Sequence, residues 1–139
     1  MDNSEKSKSE KRKFKRVPVT FAMLYAVKLP IVVRMYVGGL ERPAIAQDIG
    51  EGGLALLANF EIPVCSLLAV KFTLTNDTIL SINERTYNFE LDSQVCYCKP
   101  AENKSFRLGV NFINIVPSEC LFIANYIKSN ALLKSPNRD

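Results

Sequence analysis

The stretch FRLGVNFINI, residues 106–115, alternates apolar side chains with polar or small ones. Because successive side chains of a strand point to opposite faces of a sheet, this alternation predicts a strand with one face in a core. Arg107 and Asn111 fall on the other face and should point outward. The core-facing positions are Phe106, Leu108, Val110 and Phe112.

Seven further runs rich in β-branched and aromatic residues lie upstream, between turn residues. They cover residues 19–27, 31–37, 44–49, 54–58, 67–74, 78–82 and 88–98. Short strands at this spacing leave little room for helices, which predicts an antiparallel sheet closed into a barrel or sandwich. Turn residues predict two hairpins, one through Gly38-Gly39 (31–37 to 44–49) and one through Asn76-Asp77 (67–74 to 78–82).

The pattern changes to a helical period only after Pro117. Ser118 is suited to the N-cap, and Glu119 is favourable in the first turn of a helix. One C-terminal helix of about ten to fourteen residues is expected, packed on the barrel. Its predicted docking stripe is Leu121, Phe122, Asn125, Tyr126 and Leu133.

Composition limits the chain to one globular domain with a charged leader. With 139 residues and 47% hydrophobic residues, it can bury a single core. The net charge of +4 equals that of residues 1–16 alone, which hold seven basic and three acidic residues. A basic leader on a neutral body points to an anionic partner bound at one place, or to a solvated tail.

Several function classes lose their usual residues. The absence of histidine removes Ser-His triads and His metal ligation. The cysteines lack paired CxxC spacing, so buried thiols in a reducing cytoplasm are expected; they are Cys65, Cys96, Cys98 and Cys120. No cleavable signal and no long uninterrupted apolar run is visible, which predicts a soluble, cytoplasmic protein. No nucleophile–base pair, metal cluster or Walker-type phosphate loop is visible either, so no enzymatic activity is expected.

Two short stretches carry candidate binding chemistry. RKFKRVPV, residues 12–19, places Arg12 and Arg16 four positions apart. DIGEGGLAL, residues 48–56, surrounds a glutamate with three glycines after Asp48. Glycine permits positive φ and close approach of a ligand to the backbone, although glycine-rich turns are also common structural elements.

Together with RLGVNF at 107–112, these stretches resemble the PilZ domain family. That family carries RxxxR before its first barrel strand and [D/N]xSxxG at a later turn, and the resemblance covers roughly residues 11–130. It implies an all-β fold, a six-stranded antiparallel β-barrel with one C-terminal α-helix. The expected parts are a flexible basic arm (1–16), the barrel domain with its helix (17–131) and a flexible tail (132–139).

The resemblance also implies a bacterial second-messenger receptor that binds cyclic di-GMP. The implied ligand-binding residues are Arg12, Arg16, Asp48, Gly50 and Gly53. A guanidinium fork can pair with a phosphate or with the O6/N7 edge of guanine, and Asp48 can accept from guanine or hold an arginine. Arm ordering would pass the signal to a downstream protein; no metal, other cofactor, nucleic-acid polymer or membrane insertion is expected.

The departure from the family pattern is Gly50, where the family has serine. One lost hydroxyl hydrogen bond costs about 0.5 to 1.5 kcal/mol, less than the roughly 1.5 to 3 kcal/mol of each charge-assisted arginine contact. Weakened but retained binding is therefore expected. Two alternatives stay open: a degenerate member that acts as a protein-interaction adaptor, and a small barrel that binds nucleic acid through its basic leader.

Overall fold

The computed structural model describes residues 15–76 and 85–134, without the side chains of 131–134. Predicted strand 78–82 and nearly all of the predicted arm therefore lie outside the described residues. The elements, in chain order, are β1 (Arg16–Leu29), α1 (Ile31–Val37), β2 (Arg42–Gly50), β3 (Gly53–Ala58), β4 (Leu67–Thr75), β5 (Thr86–Pro100), a 3-10 turn (Glu102–Lys104), β6 (Phe106–Phe112) and α2 (Pro117–Lys134).

The six strands in this part of the chain form a closed barrel in the order β1-β2-β3-β6-β5-β4. Every neighbouring pair is antiparallel. The first strand closes the ring because its N-terminal part pairs with β2 and its C-terminal part with β4. The prediction of an all-β, six-stranded antiparallel barrel with a C-terminal helix is confirmed.

The core fills the inside of the barrel with the alternating apolar side chains of its strands. In β6, Leu108 and Val110 are fully buried while Arg107 and Asn111 face outward, as the alternation predicts. Stacked rings of Phe72 and Phe89, 4.8 Å between centroids, add an aromatic layer. The barrel is therefore a packed core rather than a ligand cavity.

The C-terminal helix is longer than predicted, and its predicted docking residues are only partly confirmed: Phe122 and Tyr126 pack against the core, whereas Asn125 is exposed. It has 18 residues, and Ile123 and Ile127 enter the core with Phe122 and Tyr126 packed beside them. The predicted docking residue Leu121 is exposed. Leu121 comes two residues before the buried Ile123, so its side chain is rotated by about 200° around the helix axis and faces away from the barrel.

The predicted strand 31–37 is wrong, because this segment forms α1. Gly38 ends the helix in the left-handed region at φ 110° and donates its N–H to the Arg34 carbonyl. Arg42 also donates from Nε and Nη2 to the Val37 carbonyl, at 3.0 and 2.6 Å. The predicted Gly38-Gly39 hairpin is therefore replaced by a direct β1–β2 pairing with α1 in the connection.

The cysteine prediction is also corrected. Cys65 and Cys96 are exposed, and Cys98 and Cys120 are half-buried. Cys96 occupies a register shift between β5 and β6, where the regular inward and outward alternation is interrupted. No cluster of three metal-ligating side chains occurs in residues 15–76 and 85–134. Of the two helices described there, neither is long and apolar enough to span a bilayer.

Candidate functional site

Four strand ends meet at one rim of the barrel, and the predicted glycine motif lies there. Arg16, at the start of β1, is paired with Gly50 at the end of β2. Gly50 is paired with Gly53, which in turn is paired with Asn111 of β6. The barrel register thus brings residues from distant parts of the sequence to one rim.

Asp48 is held between two arginines at this rim. Arg16 Nη1 donates to Oδ1 at 3.0 Å, and Arg107 Nη2 donates to Oδ2 at 2.8 Å. The Asp48 and Arg16 side chains are only 18% and 17% exposed. A shared, partly buried carboxylate of this kind holds its cations more firmly than an isolated surface ion pair does. Asp48 therefore orients both guanidinium groups.

Arg107 has all three of its guanidinium nitrogens engaged. Besides Asp48, Nη1 donates to Gln47 Oε1 and Nε donates to the Tyr97 hydroxyl oxygen at 3.2 Å. These contacts fix the plane of the guanidinium, and 34% of the side chain stays exposed. A fixed, exposed guanidinium can stack on a flat aromatic base or attract a phosphate.

Arg107 was not among the predicted site residues, although its outward direction was. Gln47 and Tyr97 were not singled out at all. The sequence places Arg107 and Asp48 59 positions apart. Only the pairing of β3 with both β2 and β6 brings them together.

The ring of Tyr97 covers Gly109 on the neighbouring strand. A Cβ added at Gly109 would overlap the Tyr97 ring atoms. The Lys99 ammonium lies over the same ring, 5.1 Å from its centroid. Tyr97 is therefore in contact with two cationic side chains, with Arg107 at its hydroxyl and with Lys99 at its ring.

The glycines of the motif have different structural reasons. At Gly53 a Cβ would overlap the carbonyl oxygen of Val110, so the close approach of β3 to β6 requires glycine. At Gly50 a Cβ would lie 2.9 Å from both Arg16 Cγ and the Lys15 carbonyl oxygen. Position 50, where this chain has glycine instead of the family's serine, is therefore also the position where the Arg16 side chain packs against the backbone.

Two further residues complete the account of the rim. Desolvation by burial raises the pKa of the Cys96 thiol, and the positive charge of Arg16 partly opposes that rise. Arg12, the second arginine of the predicted RxxxR pair, lies outside the described residues. Of the predicted site, Arg16, Asp48, Gly50 and Gly53 are thus found together at one rim.

Comparison with known proteins gives a family and a set of similar folds. The PilZ domain model matches residues 10–129. The Bacillus subtilis inhibitor of motility MotI/DgrA is similar with a TM-score of 0.67 and 14% identity, over 88% of this chain and 52% of that one. The PilZ domain of Escherichia coli YcgR, described with c-di-GMP, gives 0.60 and 14%, over 92% and 98%.

Escherichia coli YcgR in complex with c-di-GMP gives a TM-score of 0.54 and 16% identity, over 92% of this chain and 50% of that one. The chain thus spans about half the length of MotI and of this YcgR chain. At these identities the similarity concerns the fold. The comparison with curated proteins found no match.

Proposed function

Because this chain belongs to the PilZ domain family, we propose that it is a receptor for cyclic di-GMP. The observation that carries the proposal is the convergence of Arg16 and Arg107 on Asp48, at the rim where the family's motif residues lie. Cyclic di-GMP offers two phosphates and two guanines. Oriented guanidinium groups match both, because they pair bidentately and also stack.

The proposed roles follow from the contacts. Arg16 uses Nη1 on Asp48, which leaves its other nitrogens to bind a phosphate or a guanine edge. Arg107 presents a fixed guanidinium beside it. Arg12, four residues before Arg16, is the second half of the proposed clamp. Gly50 and Gly53 keep the rim free of side chains, so that the ligand can approach the backbone.

Signal transmission is proposed to pass through the basic arm. Binding would order residues 1–16 over the ligand, and the changed surface would then be read by a partner protein. Ordering a segment on binding costs conformational entropy, so affinity should depend on the arm's sequence. The proposed function is binding and signalling, with no catalytic step.

Isothermal titration with cyclic di-GMP tests the proposal. The wild-type chain and Arg16→Ala should differ by about tenfold to a hundredfold in affinity, as expected for one charge-assisted contact. Arg34→Ala is the matched control, because it removes an exposed arginine from α1, away from this rim. Absence of binding heat from the wild-type chain at about 100 μM protein would refute the proposal.

A second candidate function, a protein-interaction adaptor that binds no nucleotide, is favoured by one observation. Both oxygens of Asp48 already accept from arginines, and Gly50 lacks the family's hydroxyl, so guanine donors find fewer unoccupied acceptors. The same titration separates the two functions. An adaptor would show no heat, and its rim variants would alter partner binding alone.

A further inference from the structure

The helix α1 is apolar on the side that faces away from the barrel. It packs on the barrel through Val37, which is buried, and Val33, which is half-buried. A helix that is apolar on all sides is normally covered on all sides. The outer face of α1 consists of Ile31, Val32, Met35 and Tyr36, and the residues Leu29 and Leu40, which flank the helix in the sequence, are exposed as well; the six side chains are between 51% and 74% exposed.

The outer face has charges of opposite sign along its two borders. Met35 is at its centre, and Arg34 and Tyr36 lie about 100° to either side of it. Glu61 adjoins the Tyr36 border, since both residues line one cavity of about 420 Å³. Neither Arg34 nor Glu61 forms an ion pair with any residue in the ranges 15–76 and 85–134.

We propose that a second copy of this chain covers the outer face of α1. A two-fold axis running along the helix sets the two α1 helices side by side and parallel. It brings the Arg34 border of each copy against the Glu61 border of the other. The contact is then self-complementary, as a two-fold interface requires, and forms two equivalent ion pairs.

The size and charge of the surface agree with this occupant. Six large side chains exposed to this degree offer on the order of 700 Å² of surface, near the roughly 800 Å² that each partner of a standard interface contributes. A patch of this size is larger than those usually left bare on a monomer. An anionic lipid surface would attract Arg34 but repel Glu61, so the mixed border favours a protein surface of matching pattern.

The proposed interface leaves the candidate ligand site accessible. In the β1–β2 pairing, Arg16 lies opposite Gly50 at one end and Tyr25 lies opposite Arg42 near the other. Nine residues of strand separate these ends by about 30 Å. Because α1 joins the strands at the Arg42 end, two copies can associate there while both arginine rims stay open. This proposal is therefore independent of nucleotide binding.

Sedimentation of the full chain over about 1 to 200 μM tests the proposal, with charge-reversal variants. The wild-type chain should shift from monomer to dimer as concentration rises. Arg34→Glu and Glu61→Arg should each weaken the dimer about tenfold or more, because each places like charges together twice. The double variant, Arg34→Glu with Glu61→Arg, should restore the dimer.

Two apolar variants complete the experiment. Met35→Asp places a charge at the centre of the interface and should weaken the dimer at least about a hundredfold. Leu121→Asp, at another exposed position, on α2, is the matched control and should leave the dimer unchanged. Circular dichroism and cyclic di-GMP titration of Met35→Asp should match the wild-type chain, which separates loss of assembly from loss of folding.

Three outcomes would overturn the proposal. One is a wild-type chain that stays monomeric at every concentration. This outcome includes the case in which the monomer binds to phosphatidylserine vesicles and sediments with them. Another is a dimer that Met35→Asp does not weaken. The third is a double charge variant that associates no better than the single ones.

Discussion

At the scale of single residues, Asp48 accepts one hydrogen bond on each carboxylate oxygen, from arginines 32 and 59 positions away in the chain. The carboxylate thereby converts two flexible side chains into an oriented pair. For Arg107, orientation rather than charge is the property that its three contacts provide. A substitution that keeps the positive charge but removes the guanidinium group can separate the effect of orientation from the effect of charge.

Arg107→Lys is such a substitution. A lysine has one nitrogen, so it can replace at most part of the contacts to Gln47, Asp48 and Tyr97. We expect cyclic di-GMP affinity to fall about tenfold, while its dependence on salt stays that of the wild-type chain. Titrations at several salt concentrations measure both quantities. Equal affinity in the variant would show that only the charge of Arg107 matters.

Gly53 and Gly109 both lie too close to a neighbour to accommodate a methyl group, but the neighbour is backbone at Gly53 and a side chain at Gly109. At Gly53 a methyl group meets the Val110 carbonyl, and at Gly109 the Tyr97 ring. Both Gly53→Ala and Gly109→Ala should lower the free energy of unfolding, by about 3 kcal/mol at Gly53. Denaturant titration measures the loss.

The Tyr97→Ala background provides the control for this pair. Removing the ring creates space for the methyl group at Gly109, so Gly109→Ala should cost little there. Gly53→Ala should cost as much in that background as in the wild-type chain, since Val110 offers backbone rather than a movable side chain. If Tyr97→Ala reduced the destabilisation by Gly53→Ala as much as that by Gly109→Ala, the contacts assigned to the two glycines would be contradicted.

The candidate site was only partly predictable from the sequence. Arg16, Asp48, Gly50 and Gly53 belong to short motifs whose residue types have a local meaning. Arg107 was predicted to face outward, but its partner depends on which strands are neighbours in the barrel. That information is not present in any local pattern, because the position of β3 between β2 and β6 results from the pairing of strands that are far apart in the sequence.

At the scale of elements, α1 shows where local propensity misleads. The sequence IVVRMYV is rich in β-branched residues, which favours a strand. The structure instead buries Val37 and half-buries Val33, four residues apart on one helical face. A strand would have buried alternate residues. Pro30 before the segment and Gly38 after it are typical boundaries of a short helix, and Gly38 was interpreted as part of a hairpin turn.

The helix α2 is tied to the barrel by a tyrosine–glutamate contact that makes stability sensitive to alkaline pH. The Tyr87 hydroxyl donates to Glu119 Oε2 at 2.8 Å, and Glu119 Oε1 accepts from the Val116 N–H at 3.2 Å. The hydrogen bond to Glu119 is the main cause that raises the pKa of Tyr87 above its ordinary value of 10.0.

Tyr87→Phe should therefore lower the free energy of unfolding by about 1 kcal/mol near neutral pH. Because the pKa of Tyr87 is higher in the folded than in the unfolded chain, its contribution to stability is fully present below a pH of about 10. This contribution is lost as the pH rises through the pKa of Tyr87 in the folded chain. The variant should lose less stability above pH 10, so that the two curves converge. Burial also raises the pKa of Tyr25, which adds an alkaline loss common to both proteins.

Urea titrations from pH 7 to 11 measure this difference. Thr73→Ala is the control, because it removes another exposed hydroxyl bond, to Asn88, without an ionisable partner. Its curve should run parallel to that of the wild-type chain. A constant difference between Tyr87→Phe and the wild-type chain at all pH values would contradict the role given to Glu119.

At the scale of the whole molecule, the antiparallel pair of β1 and β2 extends from one end of the barrel to the other. The β1–β2 pair has the arginine rim at one end and α1 at the other. Both ends depend on the same barrel, which is closed by the pairing of β1 with β4. The six strands of the closed ring run from Arg16 to Phe112, after the leader's first fifteen residues. Folding and ligand binding should therefore depend differently on the leader.

Deletion of residues 1–14 tests this separation. The shortened chain keeps Arg16, Asp48 and Arg107, so it should unfold at nearly the same temperature as the full chain when no nucleotide is added. It loses Arg12 and four of the seven basic residues of the leader besides, which are Lys6, Lys8, Lys11 and Lys13, so cyclic di-GMP affinity should fall at least tenfold.

A thermal shift series measures both effects in one experiment. Ligand at a hundred times its dissociation constant stabilises a protein by about 2.7 kcal/mol, so the full chain should melt several degrees higher with nucleotide. The shortened chain should show a smaller rise at the same concentration, and a full chain with Arg12→Ala should fall between them. An equal rise in all three would mean that the leader takes no part in binding, and the rim residues alone would then form the receptor site.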